Sequence, residues 1–100
     1  MVAERTVKWD RNALLQLKEA CDYIKKDSLK NSLKVKKEIF RAAGSLANYP
    51  ERYPLDKFKI NNDGSFRCFI LHRLRISYVV LTDEIIILRI RHTSMQNLDF

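Results

Sequence analysis

Apolar residues recur every three or four positions in the first half of the chain, which is the spacing of amphipathic helices. A short alternating segment from Arg5 to Trp9 precedes them and predicts a β-strand. Asp10 is a favourable N-cap for a first helix, which we expect to run from Arg11 to Lys26. The apolar stripe of that helix consists of Leu14, Leu17, Cys21 and Ile24.

A second helix is predicted from Leu29 to Asn48, and either Asp27 or Ser28 can end the first helix and cap the second. Pro50 lies just beyond the second helix and cannot continue it. Because so few residues join the two helices, they should form an antiparallel hairpin. The apolar stripe of the second helix is expected to comprise Leu33, Ile39 or Phe40, Ala43, Leu46 and Ala47.

In the second half of the chain the hydrophobic period changes from 3.6 to 2, which is the period of β-strands. A stiff loop from Tyr49 to Pro54 and a turn signal from Asn61 to Gly64 separate the two halves. A further short pairing is expected near Lys57–Ile60, and the tail from Thr93 to Phe100 has no clear period. Short connections predict an antiparallel meander of three strands, at Phe66–His72, Leu74–Leu81 and Glu84–His92.

These elements predict an α+β fold in the order β-α-α-β-β-β, with 100 residues forming one domain, residues 1–100.

The longest apolar runs have about four residues, whereas a membrane span needs about 20, and the N-terminus lacks the apolar segment of a secretory signal. Cys21 and Cys68 lie far apart without metal-binding spacing, and we expect reduced core cysteines, with a disulfide as the alternative. The sequence therefore predicts a cytoplasmic protein without membrane contact, metal or other cofactor.

Charge narrows the class of partner. Lysine and arginine number 19 against 12 acidic residues, so the formal net charge is +7, which favours polyanionic or acidic partners. The lysines of the second helix are interpreted as an ordinary solvated helix face. Strand alternation places the apolar residues toward the helix hairpin and four arginines together on the other, exposed face of the sheet. These are Arg67, Arg75, Arg89 and Arg91.

Such a face suits phosphate groups, because guanidinium groups bind them bidentately. Phe69 offers a ring on which a base could stack, and it is equally suited to the core. His92 ends the last strand and can transfer a proton near neutral pH. The alternatives are the solvated polar face of a half-buried sheet and a strand-end histidine bonded to the backbone. The sequence contains no glycine-rich phosphate loop, hydrolase nucleophile motif or paired catalytic carboxylates.

The order of elements, together with Phe66-Arg67, the segment Leu74–Tyr78 and the segment Ile86–His92, resembles the RelE/ParE superfamily of bacterial toxins. The Tyr-Pro-x-x-Tyr-Pro segment at Tyr49–Pro54 is also similar to members of this group. The resemblance covers nearly the whole chain. It implies the toxin of a type II toxin–antitoxin module for plasmid stabilisation, which a cognate antitoxin holds inactive.

Two activities occur in that superfamily: RelE-like members cleave mRNA on the ribosome, and ParE-like members poison DNA gyrase without a catalytic residue. The arginine face and His92 favour ribosome-associated mRNA cleavage, with Arg67 and Arg75 stabilising the scissile phosphate and His92 transferring a proton. The alternatives are a gyrase poison and a non-toxic basic binding module. Further nucleic-acid contacts are expected from Arg89, Arg91, Phe69, Lys57 and Lys59.

Overall fold

A computed structural model describes residues 5–94 of the chain. It confirms the α+β class and the predicted order of strand, two helices and three strands. The observed element ends lie within three residues of the predicted ones. The elements are β1 (Thr6–Trp9), α1 (Arg11–Lys25), α2 (Leu29–Ser45), β2 (Phe66–Leu71), β3 (Leu74–Val80) and β4 (Glu84–His92). Residues 95–100 of the predicted tail lie outside the described range.

The four strands form one sheet in the order β1-β4-β3-β2. Strands β2, β3 and β4 pair antiparallel, which confirms the meander, and β1 pairs parallel with β4. A parallel pair needs a crossover connection, and the long path through both helices and the meander supplies it. The first and last strands of the chain are therefore neighbours. No helix of the described chain, residues 5–94, is long and apolar enough to span a bilayer.

Both helices begin at side-chain caps. The Asp10 carboxylate accepts a hydrogen bond from the Asn12 amide at 2.8 Å, and the Ser28 hydroxyl accepts one from the Asn31 amide at 3.0 Å. These bonds satisfy amides that have no partner inside the helix. The caps define a short connection between the helices, and the expected hairpin forms.

The buried stripe of α2 differs from the prediction. Leu33 is 59% exposed, and a polar residue, Ser32, is buried in its place. The Ser32 hydroxyl donates to the Cys21 carbonyl at 2.7 Å, so a small polar side chain is satisfied between closely packed helices. Phe40 is also partly exposed and packs against Trp9, with ring centroids 4.8 Å apart. The residues of α2 that are buried are Ser32, Val35, Ile39 and Ala43.

A β-bulge in β4 overturns the predicted alternation of that strand. Ser77 of β3 pairs with Arg89, but the next residue, Tyr78, pairs with Ile87, so Leu88 is the extra residue. Ile85 and Ile87 therefore face the helices and are completely buried, whereas an uninterrupted period of two would place them on the same side as Arg89 and Arg91. The core beneath the helices combines the aliphatic faces of both layers and includes Leu17, Ile39, Leu46, Ile76, Tyr78, Ile85, Ile87 and Ile90.

The loop between α2 and β2 wraps around the outer edge of β2. The Pro54 carbonyl accepts from the Cys68 amide at 3.2 Å, and the Asp56 amide donates to the Phe66 carbonyl at 2.9 Å. The short pairing predicted near Lys57–Ile60 is therefore wrong in position, because Leu55 bridges to Arg67 instead. Beyond this contact the loop continues onto the sheet face that the helices leave uncovered. Strand β3 is consequently buried on both sides along most of its length.

Candidate functional site: the second face of the sheet

The sheet face opposite the helices, here called the second face, carries three of the four predicted arginines. Residues that pair directly across antiparallel strands point to the same side. Arg75 pairs with Arg91, and Ser77, two residues further along β3, pairs with Arg89. The structure thus brings Arg75, Arg89 and Arg91 together, as the sequence predicted.

Arg67 is not part of this group, which corrects the prediction. It pairs with Tyr78, a residue of the helix-facing core, while its neighbour Cys68 pairs with Ser77 of the second face. The Arg67 guanidinium lies partly buried and donates to the Tyr53 carbonyl at 2.6 Å. On β2, Arg67 shares one side with Phe69, and Cys68 shares the other side with Ile70, so each side offers an apolar residue for burial. Phe69 is buried in the core beneath the helices, and Arg67 therefore lies on that side as well.

Arg75 was expected to be exposed, and this is also wrong. Only 9% of the residue is accessible, because the loop that wraps β2 covers it. Its guanidinium carbon lies 4.6 Å from the centre of the Phe58 ring, a cation–π arrangement. Its Nη1 donates to the Cys68 sulfur at 3.2 Å. Arg75 therefore attaches the loop to the sheet and has little surface left for a ligand.

Arg89 and Arg91 remain partly accessible near the end of β4. Burial lowers the pKa of the Arg89 guanidinium, and the positive charges of Arg91 and Arg75 lower it further. A negative charge from Asp56 opposes this shift. The second face thus concentrates positive charge. Among the charges that shift the pKa of Arg89, the buried carboxylate of Asp56 is the negative one.

That carboxylate, Asp56, was not singled out by sequence reasoning. It is 2% exposed, and its Oδ1 accepts from the Phe58 amide at 2.9 Å, which closes a turn of the wrapping loop. Its Oδ2 has no hydrogen-bond partner among the described residues. The sequence held one signal for it: an Asp in a loop commonly forms a turn by accepting from the backbone amide two residues further on. Its burial next to arginines depends on the loop path.

Phe69 does not offer a ring to a nucleic-acid base. It is 4% exposed, stacks on Tyr53 with centroids 4.7 Å apart, and belongs to the core. The core interpretation of this residue is the one the structure supports. Lys57 is exposed beside Phe58, and the Lys59 ammonium lies 4.8 Å from the centre of the Phe66 ring. Both lysines lie on the wrapping loop and not on a strand of the arginine group.

His92 lies exposed at the end of β4. Its Nδ1 accepts a hydrogen bond from the Ser94 amide at 3.1 Å and lies 2.7 Å from the Ser94 hydroxyl. The residue borders a groove of about 800 Å³ between the hairpin tip and the ends of the strands. His72 lines the same groove, with its Nε2 at 2.7 Å from Glu38. The three residues assigned to catalysis are therefore separated. His92 lies at an exposed strand end, and Arg75 is buried on the second face. Arg67 lies on the side of the sheet that faces the helices.

The core beneath Arg67 contains a titrating group whose protonation is linked to folding. Tyr78 is completely buried, and its hydroxyl donates to the Pro50 carbonyl at 2.9 Å. Burial raises the pKa of the Tyr78 phenol to about 12, although the nearby Arg67 charge lowers it. The ordinary pKa of about 10 applies to the unfolded chain.

We expect the native state to lose stability as the pH rises from 10 to 12. The unfolded chain then releases the Tyr78 proton while the native protein retains it, so the free energy of unfolding falls by up to about 2.7 kcal/mol. Urea unfolding of wild type and Tyr78→Phe at pH 9 and pH 11.5 measures this. The wild type should lose more stability than the variant, and parallel losses would contradict the assignment.

Metal ligation has no candidate here, since within residues 5–94 no three His, Cys, Asp or Glu side chains are grouped to hold an ion. Cys21 and Cys68 are both free and buried, as expected. Burial raises the pKa of the Cys68 thiol and opposes its use as a nucleophile. What the second face offers chemically is fixed positive charge.

Comparison with known proteins agrees with this architecture. The sequence signature described as "ParE toxin of type II toxin-antitoxin system, parDE" matches residues 7–97. A solved structure entitled "Chromosomal ParDE TA system from P. aeruginosa" superposes with a TM-score of 0.70 at 21% identity, covering 91% of this chain and 98% of that chain. No curated protein matches. The length and position of the signature match establish that the chain belongs to the ParE toxin family of type II toxin–antitoxin systems.

Proposed function

We propose that this toxin arrests growth as a non-catalytic poison of DNA gyrase in the cytoplasm, and not as a ribonuclease. The observation that carries the proposal is the separation of the three residues a ribonuclease would need. Arg67, on β2, and Arg75, on β3, point to opposite sides of the sheet, so they cannot contact the same phosphate. Membership of the ParE family supports the same choice.

The accessible part of the second face is better suited to binding a target than to catalysing RNA cleavage. Stabilising a phosphorane requires preorganised cations around one phosphate, together with a group that transfers protons. Arg75 is covered by Phe58, and His92 is engaged with Ser94 at the far end of β4. A poison of a protein–DNA complex needs only shape and charge that fit the target. The partly accessible Arg89 and Arg91 provide such charge, and Arg91 also lines the groove.

A cognate antitoxin follows from membership of a toxin–antitoxin family. We propose that this partner contributes acidic side chains to the positive surface and apolar side chains to the exposed leucines of the hairpin, among them Leu29 and Leu33, which are 55% and 59% exposed. Burial of those leucines supplies affinity, and the carboxylates offset the net charge of +7.

The test is induction of the toxin without its antitoxin, for wild type, His92→Ala and the neighbouring control Thr93→Ala. Cells should accumulate gyrase-dependent DNA breaks, and purified toxin should inhibit supercoiling or trap cleaved DNA with purified gyrase. His92→Ala should stay as toxic as Thr93→Ala, because no proton transfer is required.

Ribosome-dependent cleavage would give a different pattern. New RNA 5′ ends would appear within translated codons, and His92→Ala would lose about 10²–10⁴-fold in cleavage rate, as expected on removing a general acid or base. That result would overturn the gyrase proposal. Absence of any growth defect from well-folded wild-type toxin would instead favour a non-toxic binding module.

A further inference from the structure

Helix α2 presents a regular row of cations that the proposed function does not use. The row, here called the α2 basic stripe, follows the spacing i, i+4, i+7, i+11, and each of its members is exposed. At 100° per residue these positions fall within an arc of about 60°. They span about 16 Å along the helix axis. The members are Lys30, Lys34, Lys37 and Arg41.

The stripe points away from the core. Ile39 is completely buried against the sheet and lies about half a turn from the centre of the stripe. The exposed Leu33 lies between these two directions, to one side of the cations. The stripe is therefore the outermost surface of the helix layer, and a partner can approach it without disturbing the fold.

Within residues 5–94 no carboxylate forms an ion pair with a member of the stripe. The ion pairs of this part of the chain join Lys8 with Glu84, Lys18 with Asp22 and His72 with Glu38. Glu38 is the one acidic residue of α2, and its carboxylate is held by His72. The four charges of the stripe are available to an external anion.

The chemistry of the stripe suits a duplex phosphate backbone. Three of its four members are lysines, which bind phosphates as flexible point charges and need no fixed bidentate geometry. Single-stranded nucleic acid is bound with aromatic platforms. The aromatic residue of α2, Phe40, is packed on Trp9 and lies beside the stripe. A DNA duplex presents about ten phosphate charges within the length of the stripe.

We propose that the α2 basic stripe binds the phosphate backbone of duplex DNA, independently of base sequence. Each lysine or arginine that neutralises a phosphate releases a condensed counterion, which makes binding strongly dependent on salt. This inference does not rest on the gyrase proposal, because the purified toxin alone should bind DNA.

The test is fluorescence anisotropy of the full chain with a labelled 20-base-pair duplex of mixed sequence, titrated at several KCl concentrations between 50 and 200 mM. The variant Lys34→Gln/Lys37→Gln/Arg41→Gln should lower the slope of log K against log salt by about 2.7, since each phosphate contact contributes about 0.9. At 100 mM salt its affinity should fall by on the order of 10²-fold or more.

A control variant removes the same charge elsewhere, with Arg11→Gln, Lys18→Gln and Arg52→Gln at exposed positions outside α2. Its slope should change by less than about 1. Equal losses in both triple variants, no duplex binding at 50 mM salt, stronger binding to an unpaired strand of the same sequence, or binding confined to anionic phospholipid vesicles would each overturn the proposal.

Circular dichroism and thermal melting of each variant establish that it is folded. Should the stripe variant fail to fold, the single substitutions Lys34→Gln and Lys18→Gln carry the comparison. Lys34→Gln should then reduce the slope by about 0.9 while Lys18→Gln leaves it unchanged.

Discussion

Replacing Ile87 with alanine should lower the free energy of unfolding by about 2–5 kcal/mol, the usual cost of removing a large aliphatic side chain from a closed core. Replacing its neighbour Ile86 in the same way should cost about 1 kcal/mol, because part of that side chain is already in contact with water. Ile87 is completely buried between sheet and helices, whereas Ile86 is partly exposed on the second face.

The contrast arises from the bulge at Leu88. Without it, the alternation that places Ile90 in the core would place Leu88 and Ile86 there as well. The two variants have the same composition, so intrinsic strand propensity cancels between them. Urea unfolding followed by the fluorescence of Trp9 measures both. A larger loss in Ile86→Ala than in Ile87→Ala would show that the bulge is absent in solution.

Replacing Asp56 with alanine should destabilise the fold by about 1–3 kcal/mol, the usual cost of leaving a buried hydrogen-bonding group without its partner. Two losses combine. The Phe58 amide loses its acceptor at 2.9 Å, and Arg89 loses the negative charge that opposes Arg75 and Arg91. The wrapping loop would no longer be fixed over Arg75.

Asp56→Asn separates these two contributions, because an amide oxygen can still accept from the Phe58 amide while the charge is removed. We expect an intermediate loss of stability. Asp83→Asn is the matched control, since Asp83 is exposed and the substitution changes the net charge equally. Guanidinium chloride or urea unfolding distinguishes them. Equal stability of Asp56→Asn and Asp83→Asn would mean that the buried carboxylate does not compensate the arginines.

The candidate site could be predicted in part. Arg75, Arg89 and Arg91 share a face because adjacent antiparallel strands keep a period of two, and sequence alternation contains that information. The position of Arg67 could not be read in this way, since Phe69 and Cys68 are both suited to burial and lie on opposite sides of β2. Only the competition for space in the core decides which of them faces the helices.

Burial of Arg75 was likewise beyond local reasoning. It depends on a loop of about twenty residues that crosses the edge of β2 and places Phe58 and Asp56 on the second face. Loop paths are determined by many weak contacts that are distant in sequence, and turn signals mark only where a loop bends. The same loop removed the exposed guanidinium on which the ribonuclease interpretation depended.

The sequence by itself determined the class, the order of elements, the hairpin with its caps and the meander. These follow from hydrophobic period, capping side chains and short connections, all of which act within a few residues. Tertiary structure alone decided the parallel pairing of β1 with β4, the bulge at Leu88, the side on which Arg67 lies and the covering of Arg75. Each of these features depends on which surfaces pack together and exclude water when segments distant in sequence meet. The local sequence pattern of a strand or helix does not contain that information.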